Sequence, residues 1–134
     1  REEKRIDEIF TVTRGNELAV HNMKKNTTDN AIFTVYSSQT LRSGLIGYFD
    51  KFLYENAITW TTDGANAGQV NYRAGKFYCT NVCGVLISHD GYANHFVAER
   101  LNSVTKRYVS YVGNPKLMNN VMSQIKIINY YNVA

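Results

Sequence analysis

The segment NAITWTTDGANAGQVNYRAGKFYCTNVCGVLIS, residues 56–88, decides the fold, because short β-rich stretches alternate in it with glycine-containing turns. Asn56–Thr62 and Val82–Ser88 are rich in β-branched and apolar residues, which predicts a strand in each. Asp63-Gly64 is a turn signal directly after the first of them. The centre of the chain is therefore predicted to be a β-sheet.

A hairpin is predicted inside this segment. Gln69–Tyr72 and Lys76–Thr80 read as two strand arms that flank Arg73-Ala74-Gly75. A three-residue connection that contains glycine is typical of a hairpin with a bulge. The residues around Arg73 are therefore expected at a turn.

Further elements are predicted on both sides of this centre. Strands are predicted upstream over Ile6–Thr13, Ala31–Ser37 and Gly44–Asp50. Downstream, the predicted elements are a helix over Tyr92–Tyr108, a short helix over Met118–Gln124 and a final strand or extended tail over Ile125–Tyr131. About seven strands with one or two late helices predict the α+β class, with a curved, mostly antiparallel sheet.

Size and composition favour one domain over residues 1–134. The chain has 134 residues, of which 44% are hydrophobic, enough for one core. Its longest apolar stretches are far shorter than the roughly 20 residues of a membrane span. The charged start lacks the apolar segment of a secretion signal, so a cytoplasmic protein is expected.

Positive charge is concentrated in the second half. Residues 1–63 contain eight Lys and Arg against nine Asp and Glu, whereas residues 64–134 contain seven against two. The net charge of +4 thus comes from the second half. Such a local excess is what a surface that faces phosphates requires.

The sequence offers no pattern for a cofactor, a metal or a catalytic centre. The glycines from Gly64 to Gly68 lack the lysine of a nucleotide-binding loop. Cys79 and Cys83 would be roughly 13 Å apart in an extended segment, too far for a disulfide unless the chain turns. With only His89 and His95 nearby, a zinc site is poorly matched. Buried structural cysteines are favoured over a Cys-dependent enzyme, which remains an alternative.

The loop after the first central strand is a candidate DNA contact. Thr62, Asp63 and Asn66 stand among glycines and alanines that allow close approach to another surface. Their side chains can exchange hydrogen bonds with base edges or phosphates. An ordinary tight turn between strands is the alternative.

The predicted hairpin is a second candidate, with Arg73 and Lys76 around its turn and Tyr72 on one arm. A two-stranded ribbon fits the major groove, and Arg can bind guanine with two parallel hydrogen bonds. A solvated hairpin tip would explain the same residues.

The end of the main helix supplies the remaining candidates. Lys106 and Arg107 close that helix, and Asn114 and Lys116 lie in the turn that follows. Together they could hold a sugar-phosphate backbone. The helix dipole and helix capping would account for them equally well.

The ordered motifs resemble the target recognition domains of the DNA-specificity (S) subunits of type I restriction–modification systems. The resemblance covers nearly the whole chain. The motifs are Phe10–Gly15, Val35–Ser38, Gly44–Tyr48, Ala57–Gly68, Phe77–Leu86 and Tyr108–Leu117.

This resemblance implies a non-catalytic domain, without a cofactor, that reads one half of a bipartite site in double-stranded DNA. Its implied partners are methyltransferase (modification) subunits and a restriction subunit, with a homodimer or a second recognition domain as a further expectation. In the family, loops of the domain enter the major groove, which maps here to Thr62–Gly68 and Tyr72–Lys76. A protein-interaction module remains an alternative to DNA reading.

The last residues depart from the family pattern. A proline-rich stretch usually leads into a spacer helix, but residues 125–134 contain no proline. The chain is thus expected to be either an excised single domain or an unusual half-subunit.

Overall fold

A computed structural model describes residues 3–88 and 90–128 of the chain. Its strands are β1 (Glu3–Arg5), β2 (Phe10–Arg14), β3 (Phe33–Tyr36), β4 (Leu45–Phe49), β5 (Tyr54–Thr61), β6 (Val70–Cys79), β7 (Cys83–Ser88) and β8 (Lys126–Ile128). Its helices are α1 (Ile6–Ile9), α2 (His95–Thr105) and α3 (Asn119–Gln124), with 3-10 turns at Val20–Asn22, Leu41–Gly44 and Lys106–Tyr108.

Six strands form one sheet in the order β2-β7-β5-β6-β3-β4, and β1 pairs separately with β8. All neighbouring pairs are antiparallel except β3 and β6. The sheet curls so that Gly15 N donates to Cys83 O and Asn16 N donates to Cys79 O, at 2.9 and 3.1 Å. The predicted α+β class with a curved, mostly antiparallel sheet is confirmed.

The two faces of this sheet bury different clusters. Ile58, Trp60 and Leu86 pack on the face that α2 covers. The other face encloses a smaller cluster that includes Ala57 and Phe77. Alternate residues of β5 thus serve opposite cores, as the two-residue period of a strand requires.

Helix α2 begins after Asn94, whose side chain accepts a hydrogen bond from Val97 N at 2.9 Å. Its buried residues are Val97, Ala98, Leu101 and Thr105. The three- and four-residue spacing of apolar residues that predicts this helix from sequence includes Phe96 and Tyr108, and both are exposed. Tyr108 lies in a 3-10 turn, whose tighter winding breaks the 3.6-residue period from which it was assigned.

The prediction of a hairpin turn at Arg73-Ala74-Gly75 is wrong, because β6 runs through these residues as one strand. Opposite Ala74 and Gly75, β5 has only Asn56, which makes a β-bulge. Asn56 and Gly75 both have positive φ, and Asn56 Oδ1 accepts from Gly75 N at 2.7 Å. Glycine marks bulges as well as turns, so the motif alone could not decide between them.

Two terminal predictions are also refined. The predicted strand over Ile6–Thr13 opens with the one-turn helix α1, which buries Ile6 and Ile9 on one side. The predicted final strand over Ile125–Tyr131 is observed at β8, and residues 129–131 lie outside the described residues. Among the described residues, no helix has the length and apolarity needed to cross a bilayer.

Candidate nucleic-acid interface

The loop of residues 62–69, which joins β5 to β6, lies against the segment of residues 106–116. Gly64 N donates to Pro115 O at 2.9 Å, and Lys106 Nζ donates to Ala67 O at 3.1 Å. Thr105 Oγ1 donates to Gly68 O at 2.6 Å in a buried hydrogen bond. Gly68 has φ +89°, and a Cβ there would come within 2.9 Å of Val109. Glycine is therefore required where the loop meets the end of α2.

A third segment, residues 37–44, joins β3 to β4 and lies beside the same loop. Asn66 Nδ2 donates to Ser38 O at 2.8 Å, which ties the two loops together. We call residues 37–44, 62–69 and 106–116, with the adjoining Asn71, the recognition face. These three segments carry four cations, Arg42, Lys106, Arg107 and Lys116, and one carboxylate, Asp63.

A groove of about 170 Å³ separates the loop of residues 37–44 from the loop of residues 62–69. Its lining residues are uncharged and polar: Gln39, Thr40, Ser43, Gln69 and Asn71. None of the five was among the residues predicted from sequence. The available signal was weak: an abundance of amide side chains and glycines at the loop ends, Gly44 and Gly68.

Thr62 does not provide a free side chain at this face, contrary to the sequence prediction. It is 0% exposed, and its hydroxyl donates to Asp63 Oδ1 while lying 3.2 Å from Val82 O. Its carbonyl accepts from Leu117 N at 2.8 Å. Thr62 thus fixes the start of the loop, and a base edge cannot reach its hydroxyl in this structure.

The sequence prediction that Arg73 lies at an exposed hairpin turn also disagrees with the structure. Its side chain lies inside the curled sheet, and the residue is 5% exposed. Nε donates to Thr59 Oγ1 at 3.0 Å, Nη1 donates to Ser43 O, and the guanidinium lies 3.8 Å from the centre of the Tyr36 ring. Burial lowers the pKa of Arg73. The expected base contact fails because the strand continues where a turn was predicted.

The two other residues of the predicted hairpin lie away from the recognition face. Tyr72 points to the opposite side of β6 from Arg73, where its ring is 4.8 Å from that of His95. Lys76 lies beside the bulge, with Nζ 5.1 Å from the centre of the Phe52 ring. Lys76 lies six positions along the strand from Val70 at the loop, roughly 20 Å of extended chain.

The site residues that the sequence predicted at the C-terminal end of α2 lie on two different sides of the helix end. Lys106 is directed to the loop of residues 62–69, whereas Arg107 borders a separate groove of about 240 Å³. That groove is also lined by Arg100, Lys126 and Glu3. Asn114 is exposed, and Lys116 Nζ lies 3.4 Å from Asn114 O.

Comparison with known proteins places this chain in a family. Residues 1–128 match the family model described as type I restriction modification DNA specificity domain. The chain belongs to this family. The resemblance noted from the sequence motifs is thereby confirmed.

Relatives of this specificity domain occur in Mycoplasma pneumoniae. The chain is 38% identical over 126 residues to a protein named as the N-terminus of type I specificity subunit S.MpnORF289P, covering 92% of this chain and 66% of that protein. It is 30% identical over 125 residues to the specificity subunit of type I restriction enzyme MpnII, covering 91% of this chain and 37% of that subunit. The chain thus spans from about a third to two thirds of the length of these relatives.

Solved structures share the fold. The S subunit of a type I restriction–modification system from M. genitalium superposes with a TM-score of 0.72 at 14% identity, over 93% of this chain and 33% of that one. The HsdS subunit from Thermoanaerobacter tengcongensis gives a TM-score of 0.58 at 9% identity, over 93% and 32%.

Membership of the specificity family supports a recognition module rather than the alternative of a Cys-dependent enzyme. A turn over residues 80–82 brings the two cysteines together, where an extended segment was expected; Cys83 N donates to Thr80 O at 3.1 Å. Both thiols are free and buried. A hydrogen bond with Cys83, together with burial, raises the pKa of the Cys79 thiol. The same hydrogen bond lowers the pKa of Cys83, but that thiol is only 2% exposed, and a thiol that a substrate cannot reach is a poor nucleophile.

Proposed function

We propose that this specificity domain reads one half of a bipartite site in double-stranded DNA through the recognition face. Its proposed partners are the methyltransferase (modification) subunits and the restriction subunit, with a second recognition domain or a second copy of the chain reading the other half. The proposed place of action is the bacterial cytoplasm. The observation that carries the proposal is the groove between the loops of residues 37–44 and 62–69, which is lined by uncharged polar side chains.

The chemistry of this groove suits base edges. Asn and Gln can donate and accept at once, which matches the paired edge of adenine in the major groove. Asn71 lies at the start of β6, opposite Thr59 of β5 in the sheet register. Gln69 N donates to Asn66 O at 3.0 Å, and Val70 N donates to Asn102 Oδ1 at 2.9 Å. The backbone under the groove is thus fixed, which lowers the entropy lost on binding.

Around the groove, the cationic and polar residues suit phosphates. Lys106, Arg107, Asn114 and Lys116 are the proposed backbone contacts, and Asp63 and Asn66 are proposed to border the bases. Arg73 and Thr62 serve instead as internal supports, and Tyr72 and Lys76 are left out because they lie away from the face. Phosphate contacts of this kind position a protein on DNA, whereas base contacts specify the sequence.

A protein-interaction module is the second candidate, and one observation favours it. Tyr111 and Val112, at the tip of the turn between Ser110 and Lys116, are 68% and 89% exposed. Exposed apolar side chains grouped in this way often mark contacts with other proteins. This tip is compatible with DNA reading, because the proposed complex includes partner subunits.

Selection from a randomised duplex pool tests the proposal, with the chain alone and with the modification subunits of its system. We expect a short enriched motif, and we expect Asn71→Ala to relax the preference at one or two of its base pairs. Asn26→Ala is the matched control, because it removes an exposed amide from a loop outside the face. No enriched motif in either arm, or equal behaviour of the two variants, would refute base reading by this groove.

A further inference from the structure

Loop 37–44 is anchored at its own backbone carbonyls. Asn66 Nδ2 binds Ser38 O, and Gln39 Nε2 binds Leu45 O at 2.8 Å and lies 3.3 Å from Leu41 O. The loop closes where Ser37 N donates to Gly44 O at 2.9 Å. Most bonds that hold the loop therefore end on main-chain atoms.

Arg73 adds the anchor from inside the sheet. One guanidinium nitrogen donates to Ser43 O, another donates to Thr59 Oγ1, and the plane lies on the Tyr36 ring. These partners are all neutral. Burying a cation is unfavourable unless hydrogen bonds and ring contacts offset the loss of water. A side chain held this way fixes the position of the Ser43 carbonyl.

The backbone just before Gly44 adopts an uncommon conformation. Arg42 and Ser43 have φ/ψ of 54°/34° and 54°/31°, in the left-handed region that non-glycine residues rarely occupy. Gly44 follows with φ +89°, and a Cβ there would lie 2.9 Å from Ser37 O and 3.0 Å from Arg73 Nη2. Such conformations persist where the surrounding structure enforces them, and they cluster at functional sites.

The anchored turn presents two side chains to solvent beside the polar groove. Leu41 is 76% exposed, and Arg42 is exposed next to it. Ser43, one residue further, lines the groove itself. The tip Leu41-Arg42 thus projects from the edge of the surface proposed to meet base edges.

We propose that Arg42 is a specificity-determining residue that donates two parallel hydrogen bonds to a guanine, and that Arg73 is the positioning residue that sets its direction. Leu41 supplies an apolar contact, of the kind that recognises a thymine methyl group. This inference rests on the proposed function. A bidentate contact to guanine requires a fixed direction, and an anchored backbone narrows the directions open to the Arg42 side chain.

Arg42→Lys is the decisive variant, because it keeps the charge and replaces the planar two-nitrogen fork by a single ammonium nitrogen on a flexible stem. We expect a loss of roughly 5- to 150-fold in discrimination at one base pair, the range for a good bidentate contact, with affinity for random duplex nearly unchanged. Arg42→Ala should show the same loss. Lys51→Ala removes one exposed cation from the turn between β4 and β5 and should leave the preference intact.

Arg73→Lys tests the positioning role, since lysine can still reach one acceptor but lacks the planar fork. We expect a smaller loss at the same base pair as for Arg42→Lys, and no further loss at that pair when Arg73→Lys is added to Arg42→Ala. Gly44→Ala, which disturbs the turn through its backbone, should affect that base pair too. A purely structural role of Arg73 would lower stability without selecting one base pair.

The outcomes separate the two proposals. A wild-type chain that enriches no motif in either arm refutes the proposed function. A wild-type motif that Arg42→Lys leaves unchanged overturns the present inference alone. An equal loss on all sequences for Arg42→Ala, with none at a particular base pair, also overturns it and makes Arg42 a phosphate contact.

Discussion

Trp60 of β5 lies against Gly84 of β7, its direct partner in the sheet. A Cβ atom on Gly84 would come within 2.2 Å of the Trp60 ring. The indole Nε1 donates to Leu117 O at 2.7 Å. One aromatic side chain therefore connects two central strands to the chain that leaves the recognition face.

Gly84→Ala should destabilise the fold by about 3 kcal/mol, the upper end of the usual overpacking range, because a buried ring and a central strand must both move. Urea unfolding monitored by tryptophan fluorescence measures this change. Lys51→Ala is the control and should stay within about 0.5 kcal/mol of the wild type. A Gly84→Ala midpoint equal to that of the control would mean that the ring is free to move aside.

Thr105→Val should cost about 1–3 kcal/mol, because it leaves the buried Gly68 carbonyl without the Thr105 hydroxyl at 2.6 Å. Ser103→Ala removes a hydroxyl from the exposed side of the same helix and should cost much less. Hydrogen exchange of the loop of residues 62–69 should rise in the first variant only. Equal exchange in the two variants would show that Thr105 does not hold the loop.

The thiols should resist modification in the folded chain. Because Cys79 and Cys83 are 0% and 2% exposed, a thiol reagent such as DTNB should react with both only after denaturation. The raised pKa of Cys79 means that this thiol stays protonated at the mildly alkaline pH of the assay. Rapid reaction of one equivalent of thiol in the native state would instead favour the alternative of a Cys-dependent enzyme.

Lys106→Ala should weaken binding to every duplex alike. Neutralising one phosphate contributes about 0.9 to the slope of log affinity against log salt, so the variant should lower that slope by about one. The motif selected from a randomised pool should stay the same, because phosphate contacts carry no sequence information. An unchanged slope, or a changed motif, would remove Lys106 from the proposed backbone contacts.

The sheet could be predicted from sequence because its strands show strong local patterns. The segments assigned around Val35, Gly47, Trp60 and Leu86 all form strands. The pattern failed at Gly75, where the same glycine signal fits a turn or a bulge. Only the register of pairing with β5, the strand that precedes β6 in the chain, decides between them.

The recognition face was harder to predict because exposure is a tertiary property. Lys106, Asn114 and Lys116 were assigned from local charge and polarity; Lys106 and Asn114 are exposed, and Lys116 is half-buried. Arg73 was assigned in the same way and is buried, since the β3–β4 loop covers it with Ser43. No local sequence pattern singled out Arg42 or Asn71. They become candidate contacts only because of the loops that pack around them in the fold.

The anchors of loop 37–44 bind atoms that every amino acid possesses. Ser38, Leu41, Ser43 and Leu45 are each held by the carbonyl oxygen and not by the side chain. The side chains at positions 41 and 42 can accordingly be exchanged without removing a single support beneath them. New target sequences would then be accessible by one or two surface replacements, with the interior left as it is.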